Sequence, residues 1–109
     1  MTQRVYCIAQ FEPKPGKLEE LFRVLQALEP DTLREEGCIQ YRITRHIPSP
    51  FAEGESLPLV FNEIWANMAV FEAHCQKPYI QSFFEEQCIN PAGLVAKWNV
   101  CVYSDELTA

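Results

Sequence analysis

Two side chains that can carry protons stand beside aromatic residues in this sequence, and His74 is the first of them. It falls about two turns into a predicted helix whose other inward positions are Phe71 and Cys75. An imidazole titrates near neutral pH, so a histidine in an apolar setting is a candidate general base. The alternative interpretation is a helix histidine that only makes a structural hydrogen bond.

Glu63 is the second such side chain, and it lies between Phe61 and Trp65 at alternate positions of a predicted strand. Regular alternation points all three to one face, where indole and phenyl rings could flank a planar substrate. Aromatic residues in this pattern more often form core or interface. A carboxylate there needs a donor, or its pKa shifts. The candidate partners are His74, Arg42 and Arg45. A structural hydrogen bond is favoured over general acid catalysis.

The remaining side chains with chemical potential have ordinary interpretations. Tyr41 could hold a substrate oxygen, although a tyrosine on a half-buried strand usually only satisfies its hydroxyl at the edge of the core. The five cysteines, at positions 7, 38, 75, 88 and 101, show no CxxC or CxxH spacing. This argues against a zinc site and against a complete disulfide framework. We expect no metal, and reduced cysteines that are mostly buried.

Four strands are predicted, over residues 4–12, 38–47, 59–66 and 95–103. The second strand alternates Ile39, Tyr41 and Ile43 on one face. In the first strand both faces are largely apolar, so helices can cover one face and a second subunit or a ligand cavity must cover the other. Residues 46–58 carry three prolines, two serines and a glycine, which predicts a loop long enough to suspect a role at a site or interface.

Two helical segments are predicted between these strands. The first is amphipathic, is broken at Pro30 with Asp31 as the cap of a short second piece, and ends at residue 36 before a left-handed Gly37. The second begins after Asn67 as N-cap, is interrupted at Pro78 and continues to residue 88. The order β, α, β, β, α, β predicts a single α+β domain, residues 1–109, of the ferredoxin-like type, with an antiparallel sheet and both helices on one side.

The overall composition narrows the classes of function. The sequence has 109 residues, 48% of them hydrophobic, which suits one globular domain. Nine basic residues, scattered along the chain, stand against fifteen acidic ones, so neither nucleic acid nor an anionic membrane is an expected partner. No apolar stretch suits a signal peptide or a membrane span. We expect a cytoplasmic protein.

Three segments in order carry a family resemblance: Glu35–Tyr41 (EEGCIQY), Phe61–Trp65 (FNEIW) and Phe71–His74 (FEAH). Together they resemble the antibiotic biosynthesis monooxygenase domain, in its small quinol-monooxygenase-like branch, over nearly the whole chain. The resemblance implies a homodimer in which two sheets pack face to face as a dimeric α/β barrel. It also implies oxygenation of a small quinol or other aromatic by O2, without metal, flavin or heme. Fold alone does not fix this chemistry.

In that reaction a base must deprotonate a phenol in a dry pocket. The resemblance makes His74 and Glu63 the candidate catalytic residues. The candidate substrate-binding residues are Trp65, Phe71, Tyr41 and Phe61. Phe61 and Phe71 replace an Asn and a Tyr of polyketide-oxidising relatives, and Ala9 and Gln10 stand where heme-degrading relatives carry an Asn. The alternatives are a non-catalytic small-molecule-binding dimer and, less favoured, an isomerase or heme-degrading relative.

Overall fold

The computed structural model describes residues 3–108 as one sheet covered on one side by helices. The strands are β1 (Val5–Pro13), β2 (Cys38–Arg45), β3 (Leu59–Trp65) and β4 (Val95–Tyr103). They are antiparallel, in the order β2-β3-β1-β4. The helices are α1 (Leu18–Gln26), α2 (Glu29–Leu33), α3 (Met68–Cys75) and α4 (Pro78–Phe83), and α4 continues into a π-helical segment, Phe84–Ile89. The predicted α+β ferredoxin-like fold is confirmed.

The core lies between the helices and one face of the two central strands. Alternate residues of β1 and β3 are buried, and the register places Ala9 opposite Phe61 and Cys7 opposite Glu63. Leu21 of α1 is fully buried against this face. A period-two pattern of burial therefore directs Glu63 into the core together with its aromatic neighbours.

No helix within residues 3–108 packs on the other face of the sheet, which is half-buried at its centre. Tyr6, Ile8 and Ile64 lie there, and the register places Tyr6 opposite both Ile64 and Tyr103. Cys101 stands opposite Ile8 in the same patch. This open face therefore has an apolar end, as the two apolar faces of the first strand predicted.

The first helical segment differs from its prediction. α1 ends at Gln26 and α2 ends at Leu33, three residues before the expected end. Pro30 is part of α2 rather than a break, because the first turn of a helix leaves its N–H groups unpaired and tolerates proline. Asp31 lies inside α2 and is not its cap. Gly37 has a φ of 82°, the left-handed conformation that was expected there.

β2 begins at Cys38 as predicted, but its end and its pairing differ from the prediction. It stops at Arg45, two residues early, and its register shifts between Cys38 and Gln40. This bulge removes Ile39 from the alternation, so that its side chain is 44% exposed instead of sharing the buried face of Tyr41. A bulge of this kind cannot be predicted from the sequence of a short alternating segment.

Other details of the chain follow the prediction more closely. Asn67 caps α3, since its Oδ1 accepts a hydrogen bond from the Val70 N–H at 3.0 Å. Residues 46–58 form neither helix nor strand. The cysteines are all free, but the expectation that most are buried was wrong, because only Cys7 and Cys88 are buried and Cys75 is exposed. Within residues 3–108 no helix has both the length and the apolar character needed to cross a membrane.

Candidate active site

A small cavity lies between the helix-facing side of the sheet and the helices. Its volume is about 80 Å³. By the same measure of volume one water needs roughly 10–15 Å³, so several waters or a small organic molecule would fit. Its apolar wall includes five phenylalanines: Phe11, Phe61, Phe71, Phe83 and Phe84. The polar or titratable side chains in the wall are Cys7, Tyr41, Glu63, His74 and Cys75. This combination is typical of a small-molecule site.

His74 is held in the cavity wall by a carboxylate that the sequence analysis did not consider. Its Nδ1 lies 3.0 Å from Oε2 of Glu35, and both side chains are buried. Glu35 sits in the turn between α2 and β2, while His74 is near the end of α3. The suggestion that Glu63 orients His74 is therefore wrong, because Glu35 occupies that position.

The second ring nitrogen of His74 is free. Within residues 3–108, Nε2 has no hydrogen-bond partner. Every fully buried side-chain nitrogen or oxygen in these residues does have a partner, so Nε2 cannot be one of the fully buried atoms. Nε2 therefore keeps accessible surface, and the ring lines the cavity. Burial lowers the pKa of His74 below its ordinary value of 6.5, and the neighbouring Glu35 only partly offsets that effect. The imidazole is consequently neutral at pH 7 and has a nitrogen able to accept a proton.

Glu63 is a buried carboxyl group in the same wall. Burial raises its pKa to about 7, although hydrogen bonds from Trp65 and Cys7 act in the opposite direction. The Trp65 Nε1–H donates to Oε1 at 2.9 Å. The arginine partners suggested from sequence were wrong. Arg42 is exposed. In the sheet it stands opposite Asn62 of β3, whose side chain lies on the face away from Glu63. Arg45 lies at the end of β2, away from Glu63.

Replacing Glu63 by glutamine should change how stability depends on pH. The pKa of this carboxyl group is higher in the folded chain than in the unfolded chain, so folding favours its protonated form. The unfolded chain releases the proton first as pH rises, which makes the wild type lose stability between about pH 4.5 and 7. The stability of Glu63→Gln relative to wild type should therefore increase across this range by up to about 3 kcal/mol.

Urea unfolding at a series of pH values measures this difference directly. Glu72→Gln is the matched control, because Glu72 is exposed on α3 and the same substitution there removes no buried carboxyl group. A pH-independent difference for Glu63→Gln would contradict the raised pKa.

The aromatic candidates divide between the wall of the cavity and the layer behind it. Tyr41, Phe61 and Phe71 line the cavity, and the Tyr41 and Phe61 rings stack with centroids 4.4 Å apart. Trp65 is fully buried but does not line the cavity. The centroid of its ring lies 4.6 Å from the centroid of the His74 ring. Trp65 thus contacts Glu63 and His74 on the side away from the cavity, and it is not placed to flank a ligand.

Two polar residues of this site were missed by the sequence analysis. Glu35 is one of two adjacent glutamates in a turn, a pattern that usually marks solvent-exposed surface, and it lies 39 residues from His74. The Tyr79 hydroxyl donates to the same oxygen of Glu35 and also contacts Oγ1 of Thr32 at 3.1 Å. The one sequence signal for a functional role of Glu35 was its place in the EEGCIQY segment, which carries part of the family resemblance. In residues 3–108, no three His, Cys, Asp or Glu side chains are grouped closely enough to hold one metal ion.

The fold and the site geometry define a ferredoxin-like protein with an apolar cavity between sheet and helices, lined by His74 and Glu63. A sequence profile of the family described as antibiotic biosynthesis monooxygenase matches residues 4–86. This covers well over half of the chain. The chain therefore belongs to the antibiotic biosynthesis monooxygenase family.

Solved structures agree with this assignment. The protein SO0527 from Shewanella oneidensis is 36% identical, with 95% of this chain and 92% of that chain covered and a TM-score of 0.76. PA3566 from Pseudomonas aeruginosa is 23% identical, with 95% of each chain covered and a TM-score of 0.74. A Caulobacter crescentus protein, provisionally described as an antibiotic biosynthesis monooxygenase, is 18% identical over 94% of this chain and 89% of that chain, with a TM-score of 0.71. The last two show likeness of fold alone.

One curated relative extends beyond the region it shares with this chain. The uncharacterized protein sll1783 from Synechocystis is 33% identical over 73 residues. These residues are 67% of this chain and 46% of that protein, so the match spans less than half of the relative's length.

Proposed function

We propose that this protein is a cofactor-independent monooxygenase that oxidises a small quinol or related aromatic compound with O2. The observation that carries the proposal is the neutral imidazole of His74, whose Nε2 is free at the wall of an apolar cavity that also contains Glu63. Family membership and the provisional description of the Caulobacter relative support the same reaction class.

The proposed reaction begins with a proton transfer. His74 Nε2 accepts the proton of a substrate hydroxyl, and the apolar wall leaves the resulting anion poorly solvated and electron-rich. That anion transfers one electron to O2, and the two radicals combine to form a carbon–oxygen bond. The peroxide then breaks at its O–O bond and releases water, so that a quinol and O2 yield a hydroxyquinone and water in balance.

Glu63 has the properties of the proton donor in the last step. With a pKa raised to about 7, it keeps its proton at a higher pH than an ordinary glutamate does. A carboxyl group of this kind can supply the proton that the departing oxygen needs, while His74 acts as the base. Two neighbouring groups whose pKa values are shifted in opposite directions are typical of an acid–base pair.

We also propose that the protein works as a homodimer joined through the open face of the sheet. The apolar end of that face consists of Tyr6, Ile8, Ile64, Cys101 and Tyr103. An identical copy packed on this face would cover these side chains without blocking the cavity, which lies on the other side of the sheet. Sedimentation that found a stable monomer at micromolar concentration would contradict this assembly.

Anaerobic titration followed by admission of air tests the proposed function. A series of one- and two-ring quinols is mixed with the protein without O2, and binding is followed by tryptophan fluorescence, since Trp65 adjoins the site. Oxygen uptake above the uncatalysed rate after air is admitted supports the monooxygenase. Binding without oxygen uptake would identify a binding protein and overturn the proposal.

A further inference from the structure

A chain of hydrogen bonds fixes the orientation of His74 from outside the cavity. Oε2 of Glu35 receives two contacts, one from His74 Nδ1 at 3.0 Å and one from the Tyr79 hydroxyl. The Tyr79 hydroxyl in turn lies 3.1 Å from Oγ1 of Thr32, which is fully buried. The chain therefore links α2, the following turn, α3 and α4 at the base of the imidazole.

The chemistry of these groups determines which nitrogen of His74 carries the proton. A carboxylate oxygen accepts hydrogen bonds, so the donor in the 3.0 Å contact between His74 Nδ1 and Oε2 of Glu35 is Nδ1–H. A neutral imidazole has only one N–H, which leaves Nε2 as a lone-pair acceptor. Nε2 is also the nitrogen without a protein partner in residues 3–108.

We infer that Glu35 is a positioning residue that holds His74 in the Nδ1–H tautomer, and that Tyr79 holds the carboxylate of Glu35 in place for that purpose. The geometry gives Glu35 a second effect. When Nε2 takes a proton, the imidazolium forms against a buried carboxylate only 3.0 Å away, which stabilises the charge as it develops. Glu35 does not line the cavity, so it acts through His74 and not on a ligand.

The catalytic part of this inference rests on the proposed function, but the tautomer can be measured without any substrate. Nitrogen-15 NMR at pH 7 reports which imidazole nitrogen of His74 is protonated. We expect Nδ1–H in the wild type and a shift toward the Nε2–H tautomer in Glu35→Gln, since the amide of glutamine can donate to Nδ1. His46 is exposed in the loop and provides an internal reference signal.

Glu36→Gln is the matched control, because Glu36 is the adjacent residue, is exposed and loses the same charge. It should leave the tautomer of His74 unchanged. An Nε2–H tautomer in the wild type would overturn the inference even if Glu35→Gln failed to fold. An unchanged tautomer in a folded Glu35→Gln would overturn it as well.

Activity distinguishes the failure of this inference from the failure of the proposed function. With a quinol that the wild type oxidises, Glu35→Gln should lower kcat about 10- to 100-fold with little change in KM, and Glu35→Asp should recover part of the loss because it keeps the charge. A tautomer shift in a protein that oxidises no quinol would support the positioning role and count against the proposed reaction. A loss confined to KM would contradict the positioning role alone.

Discussion

Replacing His74 by glutamine should lower the rate of oxygen uptake by about 10²- to 10⁴-fold, the usual contribution of a general base. The imidazole is the group in the cavity wall with a neutral, unpartnered nitrogen, and an amide cannot replace it as a base. Glutamine is preferred to alanine because its amide can still donate to Glu35, which would otherwise keep only the Tyr79 hydroxyl as a donor to Oε2. The measurement is the steady-state rate with an oxygen electrode, at saturating quinol.

The only other histidine provides the control for this prediction. His46 is exposed at the start of the loop and does not line the cavity, so His46→Gln should retain the wild-type rate. Circular dichroism checks that both variants fold. A folded His74→Gln protein within about threefold of the wild-type rate would remove His74 from the mechanism, since a general base contributes far more.

Replacing Phe61 by alanine should lower the free energy of unfolding by about 3–5 kcal/mol. Phe61 is 2% exposed, stacks on Tyr41 at 4.4 Å between ring centroids and meets Phe11 edge-on at 6.4 Å. Removing its ring loses these contacts and enlarges the cavity that Phe61 already lines. Urea denaturation of the purified variant measures the loss.

Phe51→Ala is the matched control, because the same change occurs at a side chain that is 98% exposed in the loop. Its effect should stay within about 0.5 kcal/mol of zero. A loss below about 1 kcal/mol for Phe61→Ala would mean that the ring is not part of the core, and the close stacking with Tyr41 would then be incorrect.

The strands were predictable because each central strand is buried on one face, which imposes a period of two that is visible in the residues themselves. β4 has the predicted boundaries, and β1 and β3 differ from theirs by one residue at one or both ends. The ends of α1 and α2 were harder, because Pro30 can either break a helix or sit in its first turn. The bulge beside Ile39 depends on pairing with β3 and has no local signal.

The sequence predicted which titratable residues lie in the candidate site, but not which side chains they contact. His74 and Glu63 do lie in one cavity wall, since both sit on inward positions of periodic segments. The pairing of His74 with Glu35 depends on how α3 packs against a turn 39 residues away, which no short-range pattern reveals. Arg42 could have been excluded from sequence, because strand alternation already places it on the face opposite Tyr41.

The placement of Trp65 shows a second limit of pattern-based reasoning. Alternation correctly put Phe61, Glu63 and Trp65 on one face of β3. Whether a side chain on that face lines a cavity or supports it from behind depends on the helices above, and α3 covers the end of β3 where Trp65 stands. The indole therefore became a donor to Glu63 and a support for His74.

Isotope labelling of the product tests the proposed reaction most directly. A quinol that gives oxygen uptake is incubated with the wild-type protein under ¹⁸O2, and the product is analysed by mass spectrometry after rapid quenching. Monooxygenation predicts one ¹⁸O atom in the hydroxyquinone and the second in water, with the labelled product lost in His74→Gln. An unlabelled quinone accompanied by hydrogen peroxide, formed equally well by His74→Gln, would contradict the account.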